Sequence, residues 1–156
     1  EFRRVLFRSV RLCIAGEGPL REQLGAQIAA RDLSGNVTLL GNVHAVEKLL
    51  AAADLFVSSS RFEGFPNVLA EAMAIGCSVV SFEYNYGPRE LITHGVDGLL
   101  VPPGDYEALA QAMCALIRDC GLREGLGRAA QVSSRRYEIG VVASAWRRVL
   151  EGAPTY

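Results

Sequence analysis

An α/β fold built on a doubly wound parallel sheet is predicted by three features of this 156-residue sequence. Short apolar runs alternate with stretches of helical periodicity, the βαβα order that parallel sheets require. The apolar runs are continuous, as in Ser78-Val79-Val80-Ser81-Phe82, so their strands are expected to be buried on both faces. Glycine-containing turns follow several of these runs and lead into helices, at the sheet edge where such folds bind ligands. With right-handed crossovers the result is a Rossmann-like layer sandwich.

The elements follow in order. Residues 10–15 form a strand that ends in Gly16-Glu17-Gly18-Pro19, and Pro19 suits the first turn of a helix running to about Arg31. Residues 37–40 are a strand closed by Gly41-Asn42, 47–53 a helix, and 55–58 a third strand. A helix over 67–75 stops at Gly76, and the valine-rich strand 78–82 follows. Residues 88–93 make a short helix, His94-Gly95-Val96-Asp97-Gly98 a turn, and 99–101 a strand halted by Pro102-Pro103-Gly104. Asp105 is placed to cap a helix over 106–119, and helices over 122–135 and 141–150 complete the chain. No internal repeat, low-complexity tract or linker interrupts residues 10–150, which read as one domain with 151–156 as a tail.

Composition narrows the function classes. The net charge of −1 gives no electrostatic case for nucleic acid as a partner. No apolar run approaches the roughly 20 residues that span a bilayer. The four cysteines show no CxxC or Cys/His spacing, three of them in apolar contexts as inert core thiols, which fits a reducing, cytoplasmic setting. His44 and His94 are isolated, and no Asp-x-Asp pair or Ser/His/Asp set is present, so no metal is expected. Residues 1–9, Glu-Phe-Arg-Arg-Val-Leu-Phe-Arg-Ser, resemble a translated sequencing adapter and are expected to be a non-native leader.

The stretch with most chemistry runs from Ser60 to Ala72, where Glu63 and Glu71 flank a turn that opens into a helix. Either Asn67 is the N-cap, or Pro66 and Asn67 occupy the first turn. The N–H groups of Asn67, Val68 and Leu69 then fall among the unpaired donors of a helix start, an anion site that needs no cationic side chain. Gly64 permits close backbone approach. Glu71 lies about one turn in, on the face above Asn67 and Val68, where it can accept from a ribose. Glu63 can reach a sugar hydroxyl or a developing charge. Spacing alone is equally compatible with a capped helix carrying two solvated glutamates. The Gly16–Gly18 turn is a second candidate for a phosphate or base, although Arg21 stands near the place of the third glycine of a dinucleotide fingerprint. Tyr86-Gly87-Pro88-Arg89-Glu90 is a third, with a surface ion pair of Arg89 and Glu90 as the plainer reading.

The run from Glu63 to Glu71 resembles the Glu-x7-Glu motif of family 4 glycosyltransferases. The resemblance extends to Leu12–Pro19, Ala53–Ser60, Glu71–Gly76 and Gly95–Asp105, and it covers most of residues 10–150. It implies the C-terminal, donor-binding domain of a two-domain GT-B enzyme. By that match Glu63 contacts the donor sugar and carries the catalytic role. The backbone of Phe65, Pro66, Asn67, Val68 and Leu69 holds sugar and diphosphate, and Glu71 binds the ribose. The Gly16 and Gly18 loop and the Leu40-Gly41 segment lie near the base. It further implies hexosyl transfer with retention from a UDP- or GDP-linked sugar, without a cofactor or essential metal, to a glycan or lipid-linked acceptor. Residues 84–90 resemble variants met in bacterial surface-glycan synthesis. The Arg and Lys that clamp the diphosphate in this family would lie upstream, where the leader now stands, and Arg3, Arg4 and Arg8 do not replace them. The acceptor-binding N-terminal domain is expected to be a missing partner, the fragment is expected to be inactive alone, and the full-length enzyme is allowed a peripheral membrane association. A nucleotide-sugar epimerase of the same fold and a non-catalytic nucleotide-sugar-binding module are the competing functions.

Overall fold

The computed structural model describes residues 9–62, 64–84 and 86–152. They fall into two compact units, divided between Val46 and Glu47, and each is described by itself. Most of the expected leader, Glu63, Asn85 and the end of the expected tail lie outside the described residues.

The first unit is a βαβ unit. Strand β1 (Leu12–Ala15) pairs in parallel with β2 (Val37–Gly41), and helix α1 (Arg21–Ala30) connects them. The register runs Leu12 to Val37, Cys13 to Thr38 and Ile14 to Leu39, then shifts so that Ala15 faces Gly41. Helix α1 starts at Arg21 rather than at Pro19. The reason is local: Leu20 at the cap offers no side-chain acceptor, and the Arg21 N–H donates to the Gly18 carbonyl at 3.1 Å in a turn.

The second unit holds a three-stranded parallel sheet in the order β3 (Leu55–Ser58), β4 (Ser78–Phe82), β5 (Leu99–Val101). Every residue of β4 is buried, as its unbroken apolar run predicts for a central strand. Ser81 is accommodated there because its hydroxyl donates to the Phe82 carbonyl at 2.9 Å. Val80, Phe82 and Val101 form the core with Leu109, Leu116 and Leu126 of helices α5 (Tyr106–Arg118) and α6 (Cys120–Ser134). Asp105 caps α5 by accepting from the Ala108 N–H, and Asp119 caps α6 by accepting from the Leu122 N–H, each at 2.9 Å. That second cap moves the start of α6 forward to Cys120 and ends α5 at Arg118. Helix α2 (Val46–Ala52) precedes β3, and α3 (Asn67–Ile75) joins β3 to β4. Helix α4 (Pro88–Leu91) ends early because Ile92 is extended, and a 3-10 turn (Arg135–Tyr137) leads into α7 (Ile139–Leu150).

Two glycines make α3 and α6 close neighbours. Gly76 ends α3 in the left-handed region, with φ of 84°, and its carbonyl faces Gly127 so closely that a Cβ there would clash with it. The turn before β5 rests on side chains: Asp97, buried, accepts from the Thr93 N–H at 2.6 Å, and His94 Nδ1 accepts from the Leu100 N–H at 3.0 Å. Of the cysteines only Cys77 is buried. Cys114 is half-buried, and Cys13 and Cys120 are exposed, so the expectation of three core thiols is too high. An apolar neighbourhood in sequence does not say which face of a strand or helix a thiol occupies, and Cys120 sits at the exposed start of α6.

Candidate active site

In the second unit β3, β4 and β5 run in parallel, so the segments after Ser58, Phe82 and Val101 emerge at one sheet edge. The first of these segments leads into α3. Pro66, buried, is the N-cap residue and Asn67 the first helical residue, a third arrangement beside the two the sequence allowed. No side chain caps this end. The expected three free N–H groups reduce in number. Asn67 donates to the Phe65 carbonyl at 3.0 Å and Leu69 to the Pro66 carbonyl at 3.0 Å, while Val68 has no backbone acceptor among the described residues. The Pro66 carbonyl accepts from Leu69 at 3.0 Å as well as from Ala70 at 3.1 Å, so a tight 3-10-type bond takes up one of the otherwise free donors.

Burial sorts the predicted residues of this helix start. Leu69 is wholly buried and anchors α3 to the core, whereas Phe65, Asn67, Val68 and Glu71 are exposed. Glu71 follows Asn67 by one helical turn, so the two share the solvent-facing side of α3. Glu63, the residue expected to carry catalysis, lies outside the described residues, between Phe62 and Gly64.

The other predicted residues, Gly16, Gly18, Leu40 and Gly41, belong to the first unit, where the structure brings two of them into contact. The Gly16 N–H donates to the Gly41 carbonyl at 2.8 Å, and both glycines have positive φ, 123° and 71°. At Gly41 the φ of 71° is what favours glycine, because an added Cβ would meet only the movable carboxylate end of Glu17. Arg21 donates to Glu17 at 2.8 Å and to the Leu39 carbonyl at 3.2 Å, which ties it to its own loop.

Several residues at the sheet edge escaped sequence reading. Arg61 donates to the Tyr106 hydroxyl at 3.3 Å, and that hydrogen bond raises the guanidinium pKa further. The Tyr106 ring meets Phe82 edge-on, with centroids 5.5 Å apart. Arg89 pairs with Glu83 at 2.7 Å rather than with Glu90. The carbonyl of Glu90 accepts from Tyr137 and Arg136 in the 3-10 turn, and the Tyr137 ring meets Phe65 edge-on at 5.7 Å. No local pattern announces these contacts, because Tyr137 reaches across 47 residues to Glu90. Among the described residues no three His, Cys, Asp or Glu side chains gather as a metal site.

Comparison with known proteins places this geometry. Residues 1–119 match the family model described as glycosyl transferases group 1. The chain is 40% identical over 152 residues to a phosphatidyl-myo-inositol mannosyltransferase of Mycobacterium leprae, covering 96% of this chain and 40% of that protein. It is 39% identical over 140 residues to an exopolysaccharide phosphotransferase of Streptomyces coelicolor, covering 89% of this chain and 15% of that protein. The fold matches HepE of Anabaena, solved with UDP, at a TM-score of 0.85 and 30% identity, over 93% of this chain and 42% of that one. The same protein solved with UDP-glucose matches at 0.83 and 29% identity, over the same shares of each chain. The chain therefore spans less than half the length of these relatives. A Rossmann-like half of a GT-B fold, with this family match over most of its length, makes the chain a member of the group 1 glycosyltransferases.

Proposed function

We propose that residues 10–150 are the donor-binding domain of a retaining hexosyltransferase, which moves a sugar from a nucleoside diphosphate to a glycan or lipid-linked acceptor. The observation that carries this reading is the start of α3. It buries Pro66 and Leu69 while keeping Asn67, Val68 and Glu71 exposed at the carboxyl edge of a parallel sheet. In this reading Glu71 accepts from the ribose hydroxyls, and the Val68 N–H with the α3 dipole stabilises the diphosphate. Glu63 contacts the donor sugar, and the Gly16, Gly18, Leu40 and Gly41 turns take the base. Stabilising the charge that develops on the departing diphosphate is the main electrostatic task of such a site. A relative named for mannosyl transfer and structures solved with UDP and UDP-glucose support a sugar nucleotide as substrate. No helix among the described residues is long and apolar enough to cross a membrane. We place the enzyme in the cytoplasm, with peripheral attachment to a membrane when its acceptor is a lipid.

Transfer then depends on a second, acceptor-binding domain, and the 156-residue chain alone is expected to show no turnover. In the chain extended by that domain, Glu71→Ala is expected to raise the donor KM about 10-fold or more, and Glu63→Ala to lower kcat by about 100-fold. Steady-state kinetics with varied donor concentration check both. Unchanged constants in the two variants would remove the roles assigned here.

A further inference from the structure

A closed ring of contacts surrounds the start of α3, and its far side is built by the 3-10 turn. Tyr137, half-buried, places its ring edge-on to Phe65, at 5.7 Å between centroids. Phe65 is followed by Pro66, which packs on Gly87: a Cβ on Gly87 would stand 2.9 Å from Pro66 Cδ and 3.3 Å from the Gly64 carbonyl oxygen. Gly87 has φ of 90° and leads through Pro88 into α4. The end of α4 is then tied back to the 3-10 turn. The Tyr137 hydroxyl donates to the Glu90 carbonyl at 2.9 Å, and Arg136 Nη2 donates to the carbonyls of Glu90 and Leu91 at 2.8 Å each. The Arg136 guanidinium also lies 5.0 Å from the Tyr137 ring centre and so holds the ring in place.

Helix α4 has only four residues and cannot hold its own position. The Phe65–Pro66 turn likewise lacks a side-chain cap. Both depend on outside partners, and one residue, Tyr137, serves both: its ring meets the turn and its hydroxyl meets α4.

We propose that Tyr137, with Arg136, is a positioning residue of the donor site, which fixes the Gly64–Pro66 turn and α4 against each other without touching the ligand. This rests on the reading of that turn as the place of sugar and diphosphate. The test compares Tyr137→Phe, which keeps the ring and loses the hydroxyl, with Tyr137→Leu, which loses both, and Arg136→Lys with Arg136→Ala. Hydrogen exchange is measured over residues 64–70, 86–92 and 78–82. Calorimetry measures binding of UDP-glucose and of UMP.

Exchange over 64–70 and 86–92 is expected to quicken about 5-fold in Tyr137→Phe, the effect of one net hydrogen bond, and further in Tyr137→Leu. Exchange in β4, residues 78–82, stays as in the unmodified chain. The affinity ratio of UDP-glucose over UMP falls by about the same factor, whereas a general loss of stability would weaken both ligands alike. Arg136→Lys retains more of the ratio than Arg136→Ala. Unchanged exchange in both segments of Tyr137→Leu would overturn the proposal. Quickened exchange with an unchanged ratio would also overturn it, by reducing the pair to a structural role. If the unmodified chain binds neither uridine ligand, the same ratio is read with GDP-glucose and GMP; binding of none of the four ends the donor-site reading, and the exchange rates alone then decide whether Tyr137 positions the two segments.

Discussion

Glu71 and Cys77 bracket the second half of α3 and have opposite environments. Glu71 is exposed, one turn past the helix start, free to accept from a hydroxylated ligand. Cys77 is buried, its thiol near the carbonyls of Ala53 and Ser78 at 3.6 Å each, and burial pushes its pKa up to about 11 from 9.0. The folded chain therefore holds this proton more tightly than the unfolded one. The stability linked to it is intact below pH 9 and is lost as pH rises through about 11. Thermal unfolding between pH 8 and 11 is expected to show a fall in Tm that Cys77→Ala lacks. Equal pH dependence in the two proteins would count against a buried neutral thiol. The sequence signalled Glu71 through its spacing from Glu63 and its place on a helix. It gave no signal for Tyr137 or Arg136, because their partners lie 45 to 47 residues away and are backbone carbonyls, which carry no side-chain signature.

At the level of elements, strands and the central helix were the most legible. The continuous apolar runs 55–58, 78–82 and 99–101 fold as β3, β4 and β5 with those bounds, and α3 runs from Asn67 to the glycine stop at 76. Helix starts were less legible where the cap is not a polar side chain. Leu20 and Pro66 serve as caps in α1 and α3, and backbone turns there decide where the helix begins. Packing between α3 and α6 depends on a pair of glycines that no periodicity distinguishes. Gly127 faces the Gly76 carbonyl too closely to accept a Cβ, and the obstacle is backbone, which cannot rotate away. Gly127→Ala is expected to destabilise the chain by about 1–3 kcal/mol despite the better helix propensity of alanine. Chemical denaturation checks this, and a stabilised Gly127→Ala protein would show that the helices separate without cost.

For the whole molecule, the family match and the GT-B neighbours agree: the chain belongs to the group 1 glycosyltransferases and has the Rossmann-like fold of a GT-B half. Each of its two units presents one of the predicted ligand turns, Gly16–Gly41 in the first and Phe65–Glu71 in the second. Helix α7 carries no buried residue, and Ile139, Trp146 and Leu150 on it are exposed. An apolar surface of that kind fits a chain whose relatives are more than twice as long. The donor site proposed above requires the chain to hold a nucleoside diphosphate through Glu71. Calorimetric titration of the chain with UDP and with GDP, carried to millimolar ligand, tests it most directly. Saturable one-to-one binding of at least one of them, weakened about 10-fold or more by Glu71→Ala, is the predicted result. Absence of binding by the unmodified chain, or binding that Glu71→Ala leaves undiminished, would contradict it.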